Sequence, residues 1–261
     1  MSSVWSSPDR PAYPHHALAA VLQVRGVQLH VMLWKRANEP FAGTWALPGG
    51  PLLGQESLGA CVGRQLASKV EVRQLAHLEQ LETRSDPGRD PRGRTVASAY
   101  LGLIPAHVDP ALPQDTAWHP TSALPPTAFD HGSIAGSALA RLRAKLSYTN
   151  IGFALAPPAF TIAELREIYV AALGYDVAAS NLQRVLLRRG VLEATGETAP
   201  PGTVGGRPAM RYRFTSPALE ITDPFAVLRP PSVISFRTDG KRPAAGQRTE
   251  TPRAVPRQAP V

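Results

Sequence analysis

The chain is poor in cysteine and in lysine. Its 261 residues include one cysteine, Cys61, so no intramolecular disulfide can form, and a zinc site built from several cysteines is excluded. Lysine supplies only four of the 28 basic residues, namely Lys35, Lys69, Lys145 and Lys241. Arginine therefore carries nearly all of the positive charge, and its planar guanidinium is well suited to phosphate groups.

Long apolar runs are also absent. No uninterrupted apolar stretch approaches the length of a membrane-spanning helix. The first residues lack the basic and apolar regions of a secretory signal peptide. Together with the single cysteine, these absences lead us to expect a cytoplasmic protein with no membrane partner.

The formal charge of +8 is distributed unevenly. Residues 151–228 contain seven arginines and seven acidic residues, so only a local cluster of arginines can make a phosphate-binding surface there. From Arg229 onward the chain has seven basic and two acidic residues and is rich in proline, alanine and threonine. We expect residues 227–261 to form a disordered basic tail, either solubilising or weakly attracted to nucleic acid, and residues 1–14 to be a flexible N-terminus.

Strand and helix patterns are mixed in the first 150 residues. Between Ala17 and Lys35, alternating apolar residues around Arg25-Gly26 predict two strands joined by a turn. Further strand-like patterns occupy residues 70–81 and 95–104, and helical patterns occupy residues 58–66 and 133–146. This mixture predicts an α/β or α+β domain over residues 15–148.

The character of the sequence changes after Asn150. Residues 149–158 contain a pair of prolines and are predicted to be a linker. A helix follows that Thr161 begins and Gly174 ends, and Glu164 stands three residues after Thr161, which is the spacing of a capping box.

A second helix follows after a tight turn. Apolar residues at helical spacing give it one buried face, and Gly190 ends it. Residues 191–194 and 210–214 then predict the two strands of a hairpin with a long tip rich in glycine and proline. Two helices separated by a tight turn and followed by a hairpin predict a C-terminal winged helix-turn-helix over residues 159–226.

The second helix and the hairpin carry side chains suited to duplex DNA. Asn181, Arg184 and Arg188 recur at helical spacing away from the apolar face, where they can reach base edges or phosphates together. Arg207 stands at the hairpin tip beside glycines, a position from which arginine can enter a minor groove. The full predicted DNA-binding set is Ser180, Asn181, Gln183, Arg184, Arg188, Arg207 and Arg211. Because winged helices also serve protein contacts, a protein-binding role for this domain stays open.

The stretch from Trp45 onward resembles the Nudix box, whose pattern is G-x5-E-x7-R-E-U-x-E-E-x-G-U, with U a bulky aliphatic residue. Gly50, Glu56 and Arg64 match the pattern in register, and the preceding WALPGG is the usual approach to it. The resemblance implies a Nudix fold, in which a mixed sheet lies between helices.

Where the box has its metal-binding glutamates, this chain has Gln65, Ser68 and Lys69. Nudix hydrolases use those glutamates to hold divalent cations that neutralise a diphosphate and activate water. An ammonium ion in their place repels a cation at close range. We therefore expect a catalytically inactive domain with no metal, in which Glu56 pairs with Arg64. Lys69 either supplies positive charge to a bound pyrophosphate or is an ordinary exposed lysine.

With its winged helix and degenerate box, the chain is similar to the NrtR family, the Nudix-related transcriptional regulators of NAD metabolism. The resemblance extends over about residues 15–225 and includes the blocks DPRGRTVASAYLGL, FTIAELREIYVAALG, NLQRVLLRRGVLEATG and GGRPAMRYRF. It implies a bacterial, nucleoid-associated homodimer that represses NAD biosynthesis or salvage genes from a pseudo-palindromic operator. It also implies no cofactor, and an effector that is ADP-ribose or another NAD-derived nucleotide.

The diphosphate of such an effector is expected over Gly49-Gly50 and the start of the following helix, where backbone N–H groups are free. The predicted ligand-binding set is Arg36, Trp45, Gly49, Gly50, Glu56, Arg64 and Arg94. Relief of repression requires two states of the dimer, with a hinge near residues 149–158. Lys145 lies just before that hinge and is a candidate for a regulatory modification that removes its charge.

The sequence leaves two other functions open. An active Nudix hydrolase of ADP-ribose or of another nucleoside diphosphate is disfavoured by the three replaced glutamates. A scaffold that uses both domains for protein contacts would neither cut nucleotides nor bind DNA.

Overall fold

The computed structural model describes residues 12–72, 74–200 and 208–223. The predicted tail, most of the predicted flexible N-terminus and the hairpin tip with Arg207 lie outside the described residues. Within these ranges, no helix has both the length and the apolar character needed to cross a bilayer.

The N-terminal half contains a mixed sheet of seven strands. The strands are β1 (His15–Arg25), β2 (Gln28–Lys35), β3 (Trp45–Ala46), β4 (Gly49–Pro51), β5 (His77–Arg84), β6 (Val96–Leu103) and β7 (Thr116–Pro120). β1 and β6 pair in parallel at the centre of the sheet, and the other neighbouring strands pair antiparallel.

Two helices cover opposite faces of this sheet because β1 is apolar on both sides. Ala17, Ala19 and Val21 pack in one core cluster with helix α1 (Leu58–Lys69). Leu18 and the alternate residues that follow it pack in a second cluster with helix α2 (His131–Leu146). The structure therefore confirms the predicted mixed sheet between helices.

The predicted strand over residues 70–81 is wrong in its first half. α1 continues to Lys69, and the backbone N–H groups of Val70 and Val72 both donate to the Leu66 carbonyl oxygen at 3.2 Å. These valines are buried, so their apolar character serves to cap and cover the helix end rather than to form a strand. β5 begins only at His77, and the short strands β3, β4 and β7 were not predicted.

The C-terminal half is the predicted winged helix. It contains helices α3 (Ile162–Leu173) and α4 (Ala179–Arg188) and a three-stranded sheet of β8 (Phe160–Thr161), β10 (Ala209–Phe214) and β9 (Leu192–Ala199). The capping box is formed as predicted, since the Thr161 hydroxyl accepts from the Glu164 N–H at 3.2 Å and the Glu164 carboxylate accepts from the Thr161 N–H.

The segment predicted as a linker and hinge is not an exposed connector. Residues Ile151–Ala154 form a buried 3-10 helix, and Leu155 lies in the core cluster that also holds α2 and α3 residues. The Asn150 amide donates to the Ala218 carbonyl oxygen at 2.8 Å and accepts from the Glu220 N–H at 2.7 Å. Apolar residues and a buried amide thus pack this segment between the two halves of the chain.

Candidate functional site: a cationic cleft and an arginine-bearing helix

A cleft of about 280 Å³ opens beside the carboxyl end of β2 and the glycines of β4. Its walls come from β1, the loop after β2, the end of α1, the loop before β6 and the start of α2. Among the lining residues are His16, Trp34, Arg36, Glu39, Gly49, Gly50, Lys69, Arg89, Asp90, Arg92, Phe129 and His131. The cleft therefore joins the part of the chain that carries the Nudix-like box to a polar loop and to the first turn of α2.

Two glycines allow the floor of the cleft to pack closely. A Cβ atom on Gly49 would clash with the Ala17 carbonyl oxygen, and one on Gly50 would clash with the Gln65 side-chain amide. No side chain fits at either position without moving the backbone of β1 or the side chain of Gln65. The two glycines, predicted as a loop with free N–H groups, instead belong to β4, which pairs antiparallel with β1 along the cleft.

Positive charge dominates the lining. Arg89 is paired with Asp130 at 2.7 Å and Arg92 with Asp90 at 2.7 Å, so these two cations are already compensated. Arg36 and Lys69 have no carboxylate within ion-pair distance in the described parts of the chain. Their charge is available to an anion that enters the cleft.

Lys69 is held in place by two neighbours. Its ammonium donates to the Gly49 carbonyl oxygen and lies 4.4 Å from the centre of the Trp34 ring. The Trp34 indole N–H in turn donates to the Leu47 carbonyl oxygen at 3.2 Å, which fixes the plane of the ring. Burial, followed by the charges of Arg36 and Arg64, lowers the pKa of Lys69 to about 8.

The residues at the former glutamate positions do not form a cation site. In the orientation that satisfies its amide, Gln65 donates to the Gly49 carbonyl oxygen at 3.1 Å and accepts from Arg64 at 2.9 Å. The exposed Ser68 hydroxyl points back to the Gln65 carbonyl oxygen at 3.4 Å. Throughout the described residues, no group of three or more His, Cys, Asp or Glu side chains is placed to hold a metal ion. The residues present therefore do not fit the divalent cation that the Nudix fold implies.

His131 adds a neutral donor to the cleft. The Leu47 N–H donates to its Nδ1 at 3.0 Å, so the proton of the neutral ring resides on Nε2. Burial is the main reason that the pKa of His131 is lowered to about 3, and the ring stays uncharged at physiological pH. Next to it, the Arg36 guanidinium lies 4.8 Å from the Phe129 ring and donates to the Pro40 and Asn38 carbonyl oxygens at 2.9 and 3.3 Å, and these contacts orient that side chain.

A second polar surface lies on α4. Leu182 and Leu186 are buried, whereas Asn181, Arg184 and Arg188 are exposed on another side of the helix. Arg184 donates to the Asn181 side-chain oxygen at 2.8 Å, which aligns the two side chains. Ser180 is exposed in the first turn, where Ala178 as N-cap offers no side-chain acceptor. This turn therefore has free N–H groups beside an arginine row.

The chain matches two family profiles, one over the part that carries the cleft and one over the part that carries the α4 surface. The NUDIX domain matches residues 14–139, and the NrtR DNA-binding winged helix domain matches residues 152–214. The "ADPR responsive transcriptional repressor NtrR" of Acinetobacter baylyi is 34% identical over 202 residues, which is 75% of this chain and 79% of that protein. The chain belongs to the NrtR family.

Solved NrtR structures resemble the whole described fold. Shewanella oneidensis NrtR superposes with a TM-score of 0.67 at 33% identity, covering 78% of this chain and 94% of that one. The same protein complexed with a 27mer DNA gives a TM-score of 0.66 at 32% identity, covering 77% and 93%. This chain is thus an NrtR homologue that joins a Nudix domain to a DNA-binding winged helix.

Of the predicted ligand-binding set in this NrtR homologue, Arg36, Gly49 and Gly50 line the cleft and the others do not. Trp45 instead packs against the core, with its ring 4.4 Å from the His119 ring. Arg94 lies over the Tyr13 ring at 5.3 Å, beside a neighbouring depression.

Glu56 and Arg64 form the predicted ion pair. They were also predicted to contact the ligand, but neither residue lines the cleft. The Arg64 Nε donates to Glu56 at 2.9 Å, and the Leu53 N–H donates to the same carboxylate at 2.8 Å. Because of these bonds, the pKa of Glu56 is lowered to about 2. Glu56 orders the loop before α1.

Sequence reasoning missed the half of the cleft that comes from residues distant in sequence. Arg89, Asp90 and Arg92 belong to a polar loop in which three arginines occur within six residues, and this density was the one available signal. Phe129 and His131 gave no signal, since a lone aromatic and a lone histidine before a helix are common.

Two predicted DNA-binding residues of the NrtR winged helix are half-buried. Gln183 donates to the Tyr212 hydroxyl at 2.9 Å and so ties α4 to β10. Arg211 is half-buried in the central strand of the three-stranded sheet, and its Nε is buried without a partner in the described parts of the chain. Contacts of either side chain with DNA stay a prediction.

Lys145, the candidate for modification, is largely enclosed near the end of α2. Its side chain is 14% exposed and its ammonium lies 2.8 Å from Glu79 of β5. His77 and Arg141 contact the same carboxylate at 3.0 and 3.4 Å. A modifying enzyme would have to open this cluster first.

Proposed function

We propose that this NrtR homologue represses NAD biosynthesis or salvage genes. Its winged helix binds a pseudo-palindromic operator as a homodimer, and its Nudix domain binds ADP-ribose or a related NAD-derived nucleotide without hydrolysing it. The observation that carries the proposal is the presence, in one chain, of a cationic cleft on a Nudix domain and an exposed arginine row on an NrtR-type winged helix.

Two named relatives support both halves of the proposal. The A. baylyi protein is described as responsive to ADPR, and the S. oneidensis protein has been crystallised with DNA. Both cover more than two thirds of this chain at more than 30% identity. We extend these properties to the present chain as expectations.

The cleft suits the diphosphate of a nucleotide. Arg36 and Lys69 lack carboxylate partners among the described residues and can each donate charge-assisted hydrogen bonds to phosphate oxygens. Gly49 and Gly50 line the same cleft, and their lack of side chains lets β4 pack closely against β1 and Gln65. His131 offers an uncharged Nε2–H donor that can serve a ribose hydroxyl or a phosphate oxygen at any physiological pH.

The same cleft is poorly equipped for hydrolysis. Gln65 and Lys69 both donate to the Gly49 carbonyl oxygen, the Gln65 side-chain oxygen is occupied by Arg64, and the Lys69 ammonium repels a divalent cation. Without such a cation, neither the bridging diphosphate nor an attacking water is activated in the way that Nudix hydrolysis needs. We therefore propose that the domain binds its nucleotide and releases it intact.

The α4 surface suits the major groove. Asn181, Arg184 and Arg188 project from one side of a helix whose other side is anchored by Leu182 and Leu186. Asparagine and arginine are the side chains that make bidentate contacts with adenine and guanine edges. The uncapped first turn of α4 can in addition bind a phosphate.

The test is a gel-shift titration of the full chain against the DNA upstream of its own gene, with and without ADP-ribose. We expect a specific complex that ADP-ribose dissociates. The substitution Arg184→Ala should weaken this complex by about tenfold or more and change its base preference, because it removes a contact worth roughly 1–3 kcal/mol. Arg25→Ala is the matched control, since it removes a partly exposed arginine of the Nudix domain that is paired with Asp109, away from α4.

A chain that binds no sequence-specific DNA would contradict the proposal. So would an Arg184→Ala variant that binds the operator as tightly as the Arg25→Ala control does.

A further inference from the structure

We propose that Lys69 replaces the divalent cation of the Nudix cleft, so that the effector diphosphate is bound by a protein ammonium and needs no metal. This inference rests on the proposed function and specifies how its binding site works. It goes beyond the loss of catalysis. If the metal site were simply lost, no positive charge would balance the negative charge of the diphosphate at this position in the cleft.

The first observation is the position of the ammonium. Lys69 Nζ contacts the Gly49 carbonyl oxygen, and the Gln65 amide contacts the same oxygen one helical turn earlier. Both residues occupy glutamate positions of the Nudix pattern. The Lys69 ammonium therefore lies beside a carbonyl oxygen near which carboxylates at these two positions would hold a divalent cation.

The second observation is that Lys69 is partly buried without a carboxylate partner in the described parts of the chain. Burying an unpaired cation is unfavourable unless hydrogen bonds or an anion compensate for lost hydration. The Gly49 carbonyl and the Trp34 ring supply part of this compensation. An ammonium has three N–H donors, and one carbonyl uses one of them, so donors remain for the oxygens of an anion.

The third observation is that the surroundings favour an anion and disfavour a second cation. Arg36 lines the same cleft, also without a carboxylate partner among the described residues. Trp34 holds Lys69 from one side and is itself fixed through Leu47. A divalent ion entering beside Lys69 would meet its like charge, and of the two lining carboxylates, Glu39 and Asp90, the latter is already paired with Arg92.

The experiment is calorimetric titration of the full chain with ADP-ribose in two buffers, one with EDTA and one with millimolar Mg²⁺. For the wild type we expect the same affinity in both. Lys69→Met should lose about tenfold or more in both buffers, and Mg²⁺ should not restore the loss. Lys69→Arg keeps the charge and should stay within a few-fold of the wild type.

Lys35→Met is the matched control, because Lys35 lies over the Trp45 ring at 5.2 Å much as Lys69 lies over Trp34, but outside the cleft lining. Its affinity should equal that of the wild type. The melting temperature of each variant reports whether it is folded.

A gain-of-function variant keeps the inference testable if Lys69→Met misfolds. Gln65→Glu combined with Lys69→Glu places two carboxylates beside the Gly49 carbonyl oxygen. We expect this double variant to bind ADP-ribose weakly in EDTA and about tenfold or more tightly when Mg²⁺ is added. No Mg²⁺ dependence in the double variant would contradict the inference.

The outcomes separate the inference from the proposed function. Wild-type binding of ADP-ribose that requires Mg²⁺, or unchanged affinity in Lys69→Met, overturns the role of Lys69 and leaves an ADP-ribose sensor. No binding by the wild type in either buffer overturns the proposed effector, and the inference with it.

Discussion

The cationic side chains of the cleft differ in whether a neighbouring carboxylate balances their charge. Two of its four cationic side chains, Arg89 and Arg92, are paired with carboxylates, whereas Arg36 and Lys69 have no carboxylate partner among the described residues. The unpaired charges face the same cleft as a neutral His131 whose tautomer is fixed by the Leu47 N–H. A nucleotide bound as we propose would therefore meet positive charge on one wall and a neutral donor on another.

The affinity for ADP-ribose should decrease as the pH rises through the pKa of Lys69, which is lowered to about 8. Below that pH the ammonium is protonated and attracts the diphosphate. Above it the neutral amine contributes little, so affinity falls by up to about tenfold per pH unit. Burial lowers the pKa values of His16 and His131, so neither of these histidines gains or loses charge in this range.

Calorimetric titrations at about pH 7 and about pH 9 measure this effect. Lys69→Arg is the control, because a guanidinium stays charged at both values. An equal loss of affinity in the wild type and in Lys69→Arg would show that another group causes it.

At the scale of elements, α2 spans the distance from the cleft to the winged helix. Its first residue, His131, lines the cleft, and Arg143 near its other end donates to the Ala172 carbonyl oxygen of α3 at 3.2 Å. Arg189, after α4, donates to the Ser147 carbonyl oxygen just beyond α2 at 2.7 Å. A shift of α2 on ligand binding would therefore displace both helices of the winged helix. α2 can in this way couple the nucleotide cleft to the DNA-binding surface.

The capping box of α3 should be important for stability. Thr161→Ala removes the acceptor for the Glu164 N–H and should lower the free energy of unfolding by about 1 kcal/mol. Urea denaturation followed by circular dichroism measures the loss. Ser85→Ala deletes a hydroxyl from an exposed loop residue and should change the free energy of unfolding by less than about 0.5 kcal/mol. Equal effects of the two substitutions would contradict this account of the helix start.

The same elements explain how far the sequence could be interpreted without coordinates. Local signals were sufficient for α3 and α4, because caps, glycine stops and apolar spacing act within one turn of helix. They failed after Lys69, where buried valines cover a helix end, and in β3, β4 and β7, which are too short to show a period. Trp45 and Arg94 were assigned to the ligand on sequence grounds alone, whereas the cleft is closed by Phe129 and His131 from far along the chain.

At the scale of the whole molecule, the two halves share one hydrophobic core. Buried residues of the sheet, of α2 and of the winged helix belong to a single cluster, and Ile151 and Leu155 pack between them. Because these contacts leave no loose connector, we expect the effector to act by repacking α2 and its neighbours rather than by releasing a free domain.

We propose that the cleft binds ADP-ribose without cutting it and that this binding releases DNA. The most direct test follows the fluorescence anisotropy of labelled operator DNA bound to the full chain, over hours, after ADP-ribose is added with Mg²⁺. We expect a fall in anisotropy that persists, because the nucleotide is not consumed. A fall that reverses as ADP-ribose is hydrolysed, or no fall at all, would contradict the proposal.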